Sequence, residues 1–226
     1  MESYDHVCFD LDGVLLDSEK YGPDGWIQRT FKNILRDLGA EESEENFENL
    51  YSDSLRKDIE GISERFNLNG PSELWSIREK HFLKEKLKAL KSGEIKPYED
   101  IKVIPEISQN YSLSIVSNSP QLIVEKFLEI SQTEPFFKTV IGRGSKLEDF
   151  RKIKPHPYLL NKMLKKIEPD NPLYVGDRET DYLVSDQLDI DFCWMIREGD
   201  SYGKEPSVSS LNKLKEFLRE LQVSGT

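Results

Sequence analysis

Two aspartates at alternate positions near the start of the chain could do chemistry together. The apolar run 7–9 leads into Asp10, and Asp12 and Gly13 follow. In an extended strand, side chains two apart share a face, so Asp10 and Asp12 project together from the end of a buried strand. On its own such a pair is more typical of a solvated turn. Its interpretation therefore depends on what the rest of the chain supplies.

Two later segments carry residue types that bind phosphate. Ser117 and Asn118 follow a second apolar run, beside a predicted helix N-terminus whose free N–H groups bind anions. The same two residues would also make a good helix N-cap. Lys154 comes directly before Pro155, and the prolines at 155 and 157 restrict where the lysine points. Lys154 is therefore a candidate phosphate ligand, although most lysines are solvated.

A second acidic segment, Gly176 to Asp181, follows another apolar run. Asp177 and Asp181 are four apart and would share a face if a helix begins here. Asp10, Asp12 and Asp177 within a few ångströms would repel one another by several kcal/mol per pair at an effective dielectric of about 20. A cation must then lie among them. Oxygen ligands favour Mg²⁺ over zinc, which prefers histidine or cysteine.

The elements that would bring these residues together are parallel strands. From residue 97 onward, short apolar runs alternate with amphipathic segments, which predicts βαβ units. The predicted strands after the first are 113–116, 139–141, 173–175 and 192–196, and the predicted helices are 122–130, 158–167 and 211–221. Because ligands collect at the carboxyl ends of such strands, the candidate residues should meet there. We predict an α/β core with a Rossmann-like, doubly wound parallel sheet, built from residues 1–17 and 97–226.

Residues 18–96 differ from the rest of the chain in composition, because they are strongly charged and patterned for helices. A first amphipathic helix should end at Gly39, a residue type that favours helix C-termini. Pro71 and Ser72 should open a later helix. We therefore predict an all-helical cap domain inserted at 18–96.

Composition limits the classes of partner. The chain has 226 residues, a net charge of −11 and two cysteines. This acidity argues against nucleic acid or an anionic membrane as a partner. No apolar run approaches the ~18 residues of a membrane span, and the first residues lack the basic start of a signal peptide. We expect a cytoplasmic monomer or weak homodimer, with Cys8 and Cys193 as buried thiols.

The four motifs, in this order, resemble those of the haloacid dehalogenase-like (HAD) hydrolases. The resemblance covers nearly the whole chain and is closest to the phosphoglycolate phosphatase and β-phosphoglucomutase group, which carries a helical C1 cap. Residues 9–14 look like the first motif, and Ser117-Asn118 looks like the second. Lys154-Pro155 is similar to the third motif, and Gly176-Asp177 with Asp181 is similar to the fourth.

The resemblance implies a role for each motif residue. Asp10 would be the nucleophile that forms an aspartyl-phosphate, and Asp12 would be the general acid and base. Ser117, Asn118 and Lys154 would bind the phosphate.

The resemblance also implies a Mg²⁺ site. The metal ligands would be Asp10, the backbone carbonyl of Asp12, and Asp177, while Asp181 would orient them. The chain departs from the family pattern at two places. Arg178 stands where a small residue is common, and it could disturb the metal loop or send its guanidinium toward the acids or the cap. Glu99-Asp100 replaces a common proline and glycine.

These observations predict a Mg²⁺-dependent phosphatase that acts on a small phosphorylated metabolite. A sugar phosphomutase is the alternative, since it shares all four motifs. A haloacid dehalogenase is disfavoured because displacing halide needs no acid such as Asp12, and a non-catalytic binding protein is disfavoured because no motif is lost. Arg56 and Lys57 are candidates for gripping an anionic substrate tail, although they are equally consistent with exposed surface.

Overall fold

A computed structural model describes residues 4–18, 24–199 and 203–224. The chain forms two compact units. The first consists of Met1–Glu19, Lys96–Arg143 and Lys152–Thr226, and the second of Lys20–Ile95 and Gly144–Arg151. Within the described ranges, no helix combines the length and apolar character that crossing a bilayer requires.

The first unit contains a six-stranded parallel sheet and a two-stranded antiparallel one. In chain order, the strands of the described residues are β1 (His6–Phe9), β2 (Leu16–Asp17), β3 (Lys96–Pro97), β4 (Ser112–Pro120), β5 (Thr139–Arg143), β6 (Pro172–Gly176), β7 (Asp191–Met195) and β8 (Ser207–Val208). The order across the large sheet is β5-β4-β1-β6-β7-β8. The predicted parallel sheet is therefore confirmed.

The core strands are apolar because both of their faces are covered. Val7, Phe9, Ile115 and Val175 are fully buried in three neighbouring strands. Strand β4 runs on to Pro120, beyond the predicted end at residue 116. The polar residues that close this strand belong to the site described below, and sequence patterning alone did not assign them to a strand.

Ten helices lie in the described residues, and five of them belong to each unit. The first unit contains α5 (Ile104–Ile107), α6 (Gln121–Ser131), α8 (Tyr158–Ile167), α9 (Glu179–Gln187) and α10 (Leu211–Ser224). The second contains α1 (Trp26–Leu38), α2 (Glu44–Asn49), α3 (Ser52–Arg65), α4 (Pro71–Ser92) and α7 (Leu147–Phe150). In the core of the first unit, Leu160 and Met163 of α8 pack in one cluster with Val116 and Tyr174 of the sheet.

The strand order reverses around β1, which lies between β4 and β6. The chain first runs outward through β4 and β5, and then crosses to the other side of β1 to form β6 and β7. Such a reversal is where open parallel sheets bind their ligands, at the carboxyl ends of the strands. The residues that follow β1 and β6, and those that close β4, are brought to that edge.

The described residues of the second unit are mainly helical. Helix α1 ends at Gly39, whose φ of 65° is the left-handed conformation that glycine adopts readily. Trp26 contacts Phe82 edge to face, with ring centroids 5.3 Å apart. Residues 144–151 also belong to this unit, because Phe150 stacks on Trp75 at 4.3 Å and the Trp75 indole N–H donates to the carbonyl of Ser145 at 2.8 Å.

Strands β2 and β3 pair with each other, although the insertion separates them in the sequence. Leu16 lies opposite Pro97, and Asp17 lies opposite Lys96. The backbone N–H of Tyr98 then donates to the carbonyl of Leu15 at 3.0 Å. The chain therefore leaves and re-enters the first unit through adjacent, hydrogen-bonded segments.

Candidate active site

Asp10 lies at the end of β1, and its backbone N–H donates to the carbonyl of Val175 in β6 at 2.9 Å. This bond extends the parallel ladder one step beyond the strand and fixes where the side chain begins. The residue is buried, with 5% of its surface exposed. Lys154 Nζ lies 2.9 Å from Asp10 Oδ1, so the predicted nucleophile is paired with the predicted phosphate ligand.

Lys154 is almost completely buried, with 1% of its surface exposed. Besides Asp10, its ammonium group contacts Asp181 Oδ1 at 2.5 Å, the Tyr174 hydroxyl at 2.7 Å and the Val116 carbonyl at 3.2 Å. Burial alone would lower the pKa of Lys154, but Asp10 and Asp181 outweigh it and raise that pKa above its ordinary value. The lysine therefore stays protonated and offers a fixed positive charge.

Two hydroxyl groups hold the side chain of Asp12. Ser18 Oγ donates to Asp12 Oδ1 at 2.5 Å, and Ser119 Oγ donates to Asp12 Oδ2 at 2.5 Å. One donor comes from the segment after β2 and the other from the end of β4. The carboxyl group is thus held from two sides while the residue stays partly exposed. This arrangement suits a group that must present a proton in a defined direction.

Ser117 and Asn118 have different surroundings, although they are adjacent in the sequence. The Ser117 hydroxyl is buried and accepts the backbone N–H of Ser119 at 3.1 Å. The Asn118 side chain is turned to the backbone of Lys154: its Oδ1 accepts the Lys154 N–H at 2.8 Å, and its Nδ2 donates to the Lys154 carbonyl at 3.2 Å. Phosphate binding by Asn118 therefore stays a prediction.

Glycines make room for the carboxyl groups after β6. Gly13 has a φ of 77°, and a Cβ atom at this position would lie 2.0 Å from Asp177 Oδ2. Likewise, a Cβ atom at Gly176 would lie 2.5 Å from the Cβ of Asp181. Both positions need glycine because an acidic side chain occupies the space that a methyl group would fill.

Asp10, Asp177 and Asp181 form the acidic cluster of the site, with one carboxylate oxygen of each within 4.8 Å of the others. Two oxygens of the cluster, Asp10 Oδ1 and Asp177 Oδ1, are buried and accept no hydrogen bond from any part of the chain that the structure describes. The ion pair of Asp10 with Lys154 is close but lacks the angle of a hydrogen bond. Asp181 instead accepts from Lys154, Tyr174 and the backbone N–H of Arg178.

The charges of this cluster are unbalanced. Burial, followed by the neighbouring Asp10 and Asp181, raises the pKa of Asp177 well above its usual range. Burial also raises the pKa of Asp10, and the attraction of Lys154 only partly offsets it. A cation would reduce this repulsion, and the two oxygens without hydrogen bonds are hard ligands of the kind that Mg²⁺ prefers. The residues therefore fit a Mg²⁺ ion.

Arg56 and Lys57 belong to α3 in the second unit, whereas the other predicted site residues all belong to the first. Arg56 forms an ion pair with Asp53 at 3.1 Å, one turn away on the same helix. Their role in specificity stays a prediction. Arg178 precedes α9, and its backbone N–H donates to Asp181 Oδ2 at 3.2 Å.

Comparison with known proteins shows the family of this chain. Residues 7–195 match the family model described as haloacid dehalogenase-like hydrolase. The chain belongs to this family. This HAD-like hydrolase is 28% identical to the phosphoglycolate phosphatase of Aquifex aeolicus over 188 residues, which span 77% of the chain and 76% of that protein.

Two other similarities of the HAD-like hydrolase are more limited. The pyrophosphatase PpaX of Bacillus cereus (strain B4264) is 33% identical over 75 residues, which cover 32% of the chain and 33% of that protein. A crystal structure of a predicted phosphatase from Clostridium acetobutylicum superimposes with a TM-score of 0.70 at 19% identity, covering 97% of the chain and all of that structure. At this identity the superposition establishes the fold alone.

Three residues of the site were not predicted from the sequence of the HAD-like hydrolase. Ser119 lies two residues after Ser117, so strand alternation could have placed both on one face. Tyr174 lies inside an apolar strand, and nothing in its spacing distinguishes it from a core residue. Ser18 lies six residues beyond Asp12, at the edge of the insertion, and no pattern marks it.

Proposed function

We propose that this HAD-like hydrolase is a Mg²⁺-dependent phosphatase that cleaves a small phosphorylated metabolite through an aspartyl-phosphate. One observation carries the proposal: the buried ammonium of Lys154 lies 2.9 Å from Asp10 Oδ1, at the edge of the sheet where Asp177 and Asp181 also lie. A nucleophilic carboxylate beside a fixed positive charge is what phosphoryl transfer requires, because the protein mainly has to position groups and balance charge.

In the first step, a carboxylate oxygen of Asp10 forms a bond to phosphorus while the bond from phosphorus to the ester oxygen breaks. Asp12 gives its proton to the departing oxygen, which leaves as an alcohol. The hydroxyls of Ser18 and Ser119, which donate to Asp12, support this role because they limit the directions in which the carboxyl group can point.

In the second step, water attacks the phosphorus of the aspartyl-phosphate, and Asp12 takes a proton from that water. The bond between phosphorus and the Asp10 oxygen breaks, which releases inorganic phosphate and restores both carboxyl groups. Lys154 and Ser117 would contact the phosphoryl oxygens in both steps, and the Asn118 amide would hold the lysine segment in place.

We propose that Asp10, Asp177 and the backbone carbonyl of Asp12 hold the Mg²⁺ ion and that Asp181 orients them. When bound, this ion would supply countercharge to the phosphoryl oxygens. The two buried oxygens without hydrogen bonds belong to Asp10 and Asp177, which supports this choice of ligands over Asp181.

The relationship to a phosphoglycolate phosphatase supports a small organic phosphate as the substrate. We further propose that the insertion at 18–96 acts as a cap that selects this substrate, with Arg56 and Lys57 contacting its anionic tail. The helical second unit supports this division of roles, since the core motifs recognise only the phosphoryl group.

The test is a panel of phosphorylated metabolites that includes 2-phosphoglycolate, pyrophosphate and sugar phosphates, with released phosphate and isomerised sugar both measured. We expect phosphate release with Mg²⁺, loss of the activity in excess chelator, and recovery when Mg²⁺ is restored. Asp10→Asn should fold normally and release no phosphate, because an amide cannot attack phosphorus. Full activity in chelator would contradict the metal, an active Asp10→Asn variant would contradict the covalent step, and isomerised sugar without net hydrolysis would indicate a mutase.

A further inference from the structure

Arg197, just after β7, bridges three segments of the first unit that are distant in the sequence. Its NH2 group donates to the carbonyl of Val14 at 2.5 Å, and its NH1 group donates to Asp100 Oδ2 at 2.6 Å. Its guanidinium carbon lies 4.0 Å from the centre of the Tyr98 ring, so the flat group rests on the aromatic face. Arg197 and Asp100 are each only 12% exposed at the side chain.

The partners of Arg197 are themselves held by the fold. The same Asp100 oxygen accepts the backbone N–H of Leu211 at 2.7 Å, at the first residue of α10. Tyr98 is tied through its backbone N–H to the carbonyl of Leu15. Arg197 therefore links α10 and residues 98–100 to the main chain at Val14. These contacts also give a structural reason for Asp100, which departs from the family pattern.

Val14 belongs to a short loop that connects β1 to β2 and carries the predicted acid. Within this loop the backbone N–H of Gly13 donates to the carbonyl of Leu16 at 3.0 Å, and those of Leu15 and Leu16 donate to the carbonyl of Leu11 at 2.9 and 2.8 Å. These three hydrogen bonds tie residues 11–16 to one another. A shift of the Val14 carbonyl would carry with it both Asp12, two residues earlier, and Gly13.

We infer that Arg197 is a positioning residue, which holds the loop of residues 11–16 so that Asp12 is aimed at the departing oxygen of the substrate. Arg197 acts through the Val14 carbonyl and touches none of the predicted catalytic groups in any contact given above. The inference rests on the proposed function, because that function gives Asp12 the role of general acid.

The chemistry of the leaving group separates this role from a general structural one. An alkoxide is a poor leaving group and needs a proton from Asp12, whereas 4-nitrophenolate is stable enough to leave without one. If the carboxyl group of Asp12 is no longer oriented toward the departing oxygen, cleavage of an alkyl phosphate should therefore slow far more than cleavage of 4-nitrophenyl phosphate. A loss of folded protein, or of phosphate binding, would slow both to the same extent.

The experiment measures ester cleavage in a single turnover, with enzyme in excess and rapid quenching, so that the second step does not contribute. The esters are 4-nitrophenyl phosphate and 2-phosphoglycolate, or the most active alkyl ester of the panel if 2-phosphoglycolate is not cleaved. The variants are Arg197→Met, Arg197→Lys, Asp12→Asn as the reference for a missing acid, and Arg219→Met on the exposed face of α10 as the control.

We expect Arg197→Met to slow alkyl ester cleavage by about tenfold or more and aryl ester cleavage by less than about threefold, a part of the ~10²–10⁴-fold that general acids contribute. Asp12→Asn should exaggerate the same difference, and Arg219→Met should change neither rate. Arg197→Lys keeps the charge but lacks the forked geometry that reaches Asp100 and Val14 together. It should therefore also slow alkyl ester cleavage selectively, but by a smaller factor than Arg197→Met. Arg197→Lys also decides the question if Arg197→Met does not fold.

Equal losses with both esters, or no loss with either, would overturn the inference while leaving the proposed function intact, provided that Asp12→Asn discriminates between the esters. If Asp12→Asn does not discriminate, the role of Asp12 is wrong and the inference is overturned with it. A wild-type chain that cleaves no ester of the panel overturns the proposed function itself.

Discussion

A Cβ atom added at Gly13 would lie 2.0 Å from the Oδ2 atom of Asp177. The two residues are far apart in the sequence, yet the space beside the Gly13 Cα is filled by the carboxyl group that we propose as a metal ligand. A side chain at position 13 would therefore displace the Asp177 carboxyl group of the proposed metal site as well as strain the backbone.

We predict that Gly13→Ala lowers the apparent affinity for Mg²⁺ by about 10- to 100-fold, the loss expected when the surroundings that orient a metal ligand are disturbed. The measurement is activity as a function of Mg²⁺ concentration. Gly39→Ala is the matched control, because Gly39 also has a positive φ, of 65°, but a Cβ atom there would meet nothing within 4 Å. Both variants should lose about 1–3 kcal/mol of stability from the strained backbone. An unchanged Mg²⁺ dependence in Gly13→Ala would mean that Asp177 is not a ligand.

Removing the Tyr174 hydroxyl should weaken the fold and the site together. Tyr174→Phe keeps the ring that packs against Phe192 but deletes the group that contacts Lys154 and Asp181. Because hydrogen bonds to charged groups are the strong ones, we expect a loss of about 2 kcal/mol in the free energy of unfolding. We also expect a several-fold lower kcat, since the ammonium group of Lys154 loses one of the oxygen atoms that hold it in place.

The measurements for this variant are denaturant unfolding and steady-state kinetics. Tyr111→Phe serves as the control, because the buried Tyr111 hydroxyl donates at 3.1 Å to the carbonyl of Leu218, which is a neutral partner. It should cost about 1 kcal/mol and leave kcat unchanged. Equal effects of the two variants on kcat would show that the Tyr174 hydroxyl has no part in the site.

The stability of the protein should fall in mild acid because of His6. This residue is fully buried, its Nε2 lies 2.8 Å from the Ser114 hydroxyl, and its Nδ1 has no hydrogen-bond partner among the described residues. Burial lowers the pKa of His6 to about 4, and nearby Asp5 opposes this only in part. The unfolded chain, with an ordinary histidine pKa of ~6.5, therefore binds the proton more readily than the folded chain.

It follows that stability is lost as the pH falls from about 6.5 to about 4, by on the order of 3 kcal/mol from this residue alone. The measurement is the free energy of unfolding of wild type and His6→Gln across this range. Carboxyl groups titrate in the same range, so the informative quantity is the difference between the two proteins. A difference that does not change with pH would contradict the assignment.

The cap residues can be tested through substrate specificity. Replacing Arg56 and Lys57 with alanine should raise KM for the best metabolite of the panel by about tenfold and leave KM for 4-nitrophenyl phosphate unchanged, because the aryl ester has no anionic tail. Arg65→Ala, an exposed arginine on the same helix, is the control. If both esters are affected equally, or neither is, other residues determine specificity.

Much of the fold and the positions of Asp10, Asp177 and Lys154 could be predicted because they follow from local rules. Apolar runs of strand length alternate with helical segments, and the carboxyl ends of parallel strands share an edge. The acidic pair after β1 and the acids after β6 lie at such ends. Their proximity is thus a consequence of topology, which the order of the elements already contains.

The contacts that refine the site could not be predicted, since they depend on how side chains turn after the chain has folded. Asn118 has the residue type of a phosphate ligand, but its amide is turned to the backbone of Lys154. The contact between Ser119 and Asp12 joins residues 107 positions apart. Residues 144–151 follow a core strand, yet they pack with the helical unit because Phe150 stacks on Trp75. No periodicity or spacing encodes these pairings.

The pairing of β2 with β3 has a consequence for how this chain could gain or lose its insertion. Opposed residues in an antiparallel pair have Cα atoms only ~4.5–5.5 Å apart, so Asp17 and Lys96 could be joined by a turn of two residues. The two ends of the intervening segment therefore lie close together, so a segment of different length could replace it without a change in the pairing of β2 with β3. Phe150 sets a limit on such exchanges, because any replacement must supply a new partner for the ring that Trp75 now covers.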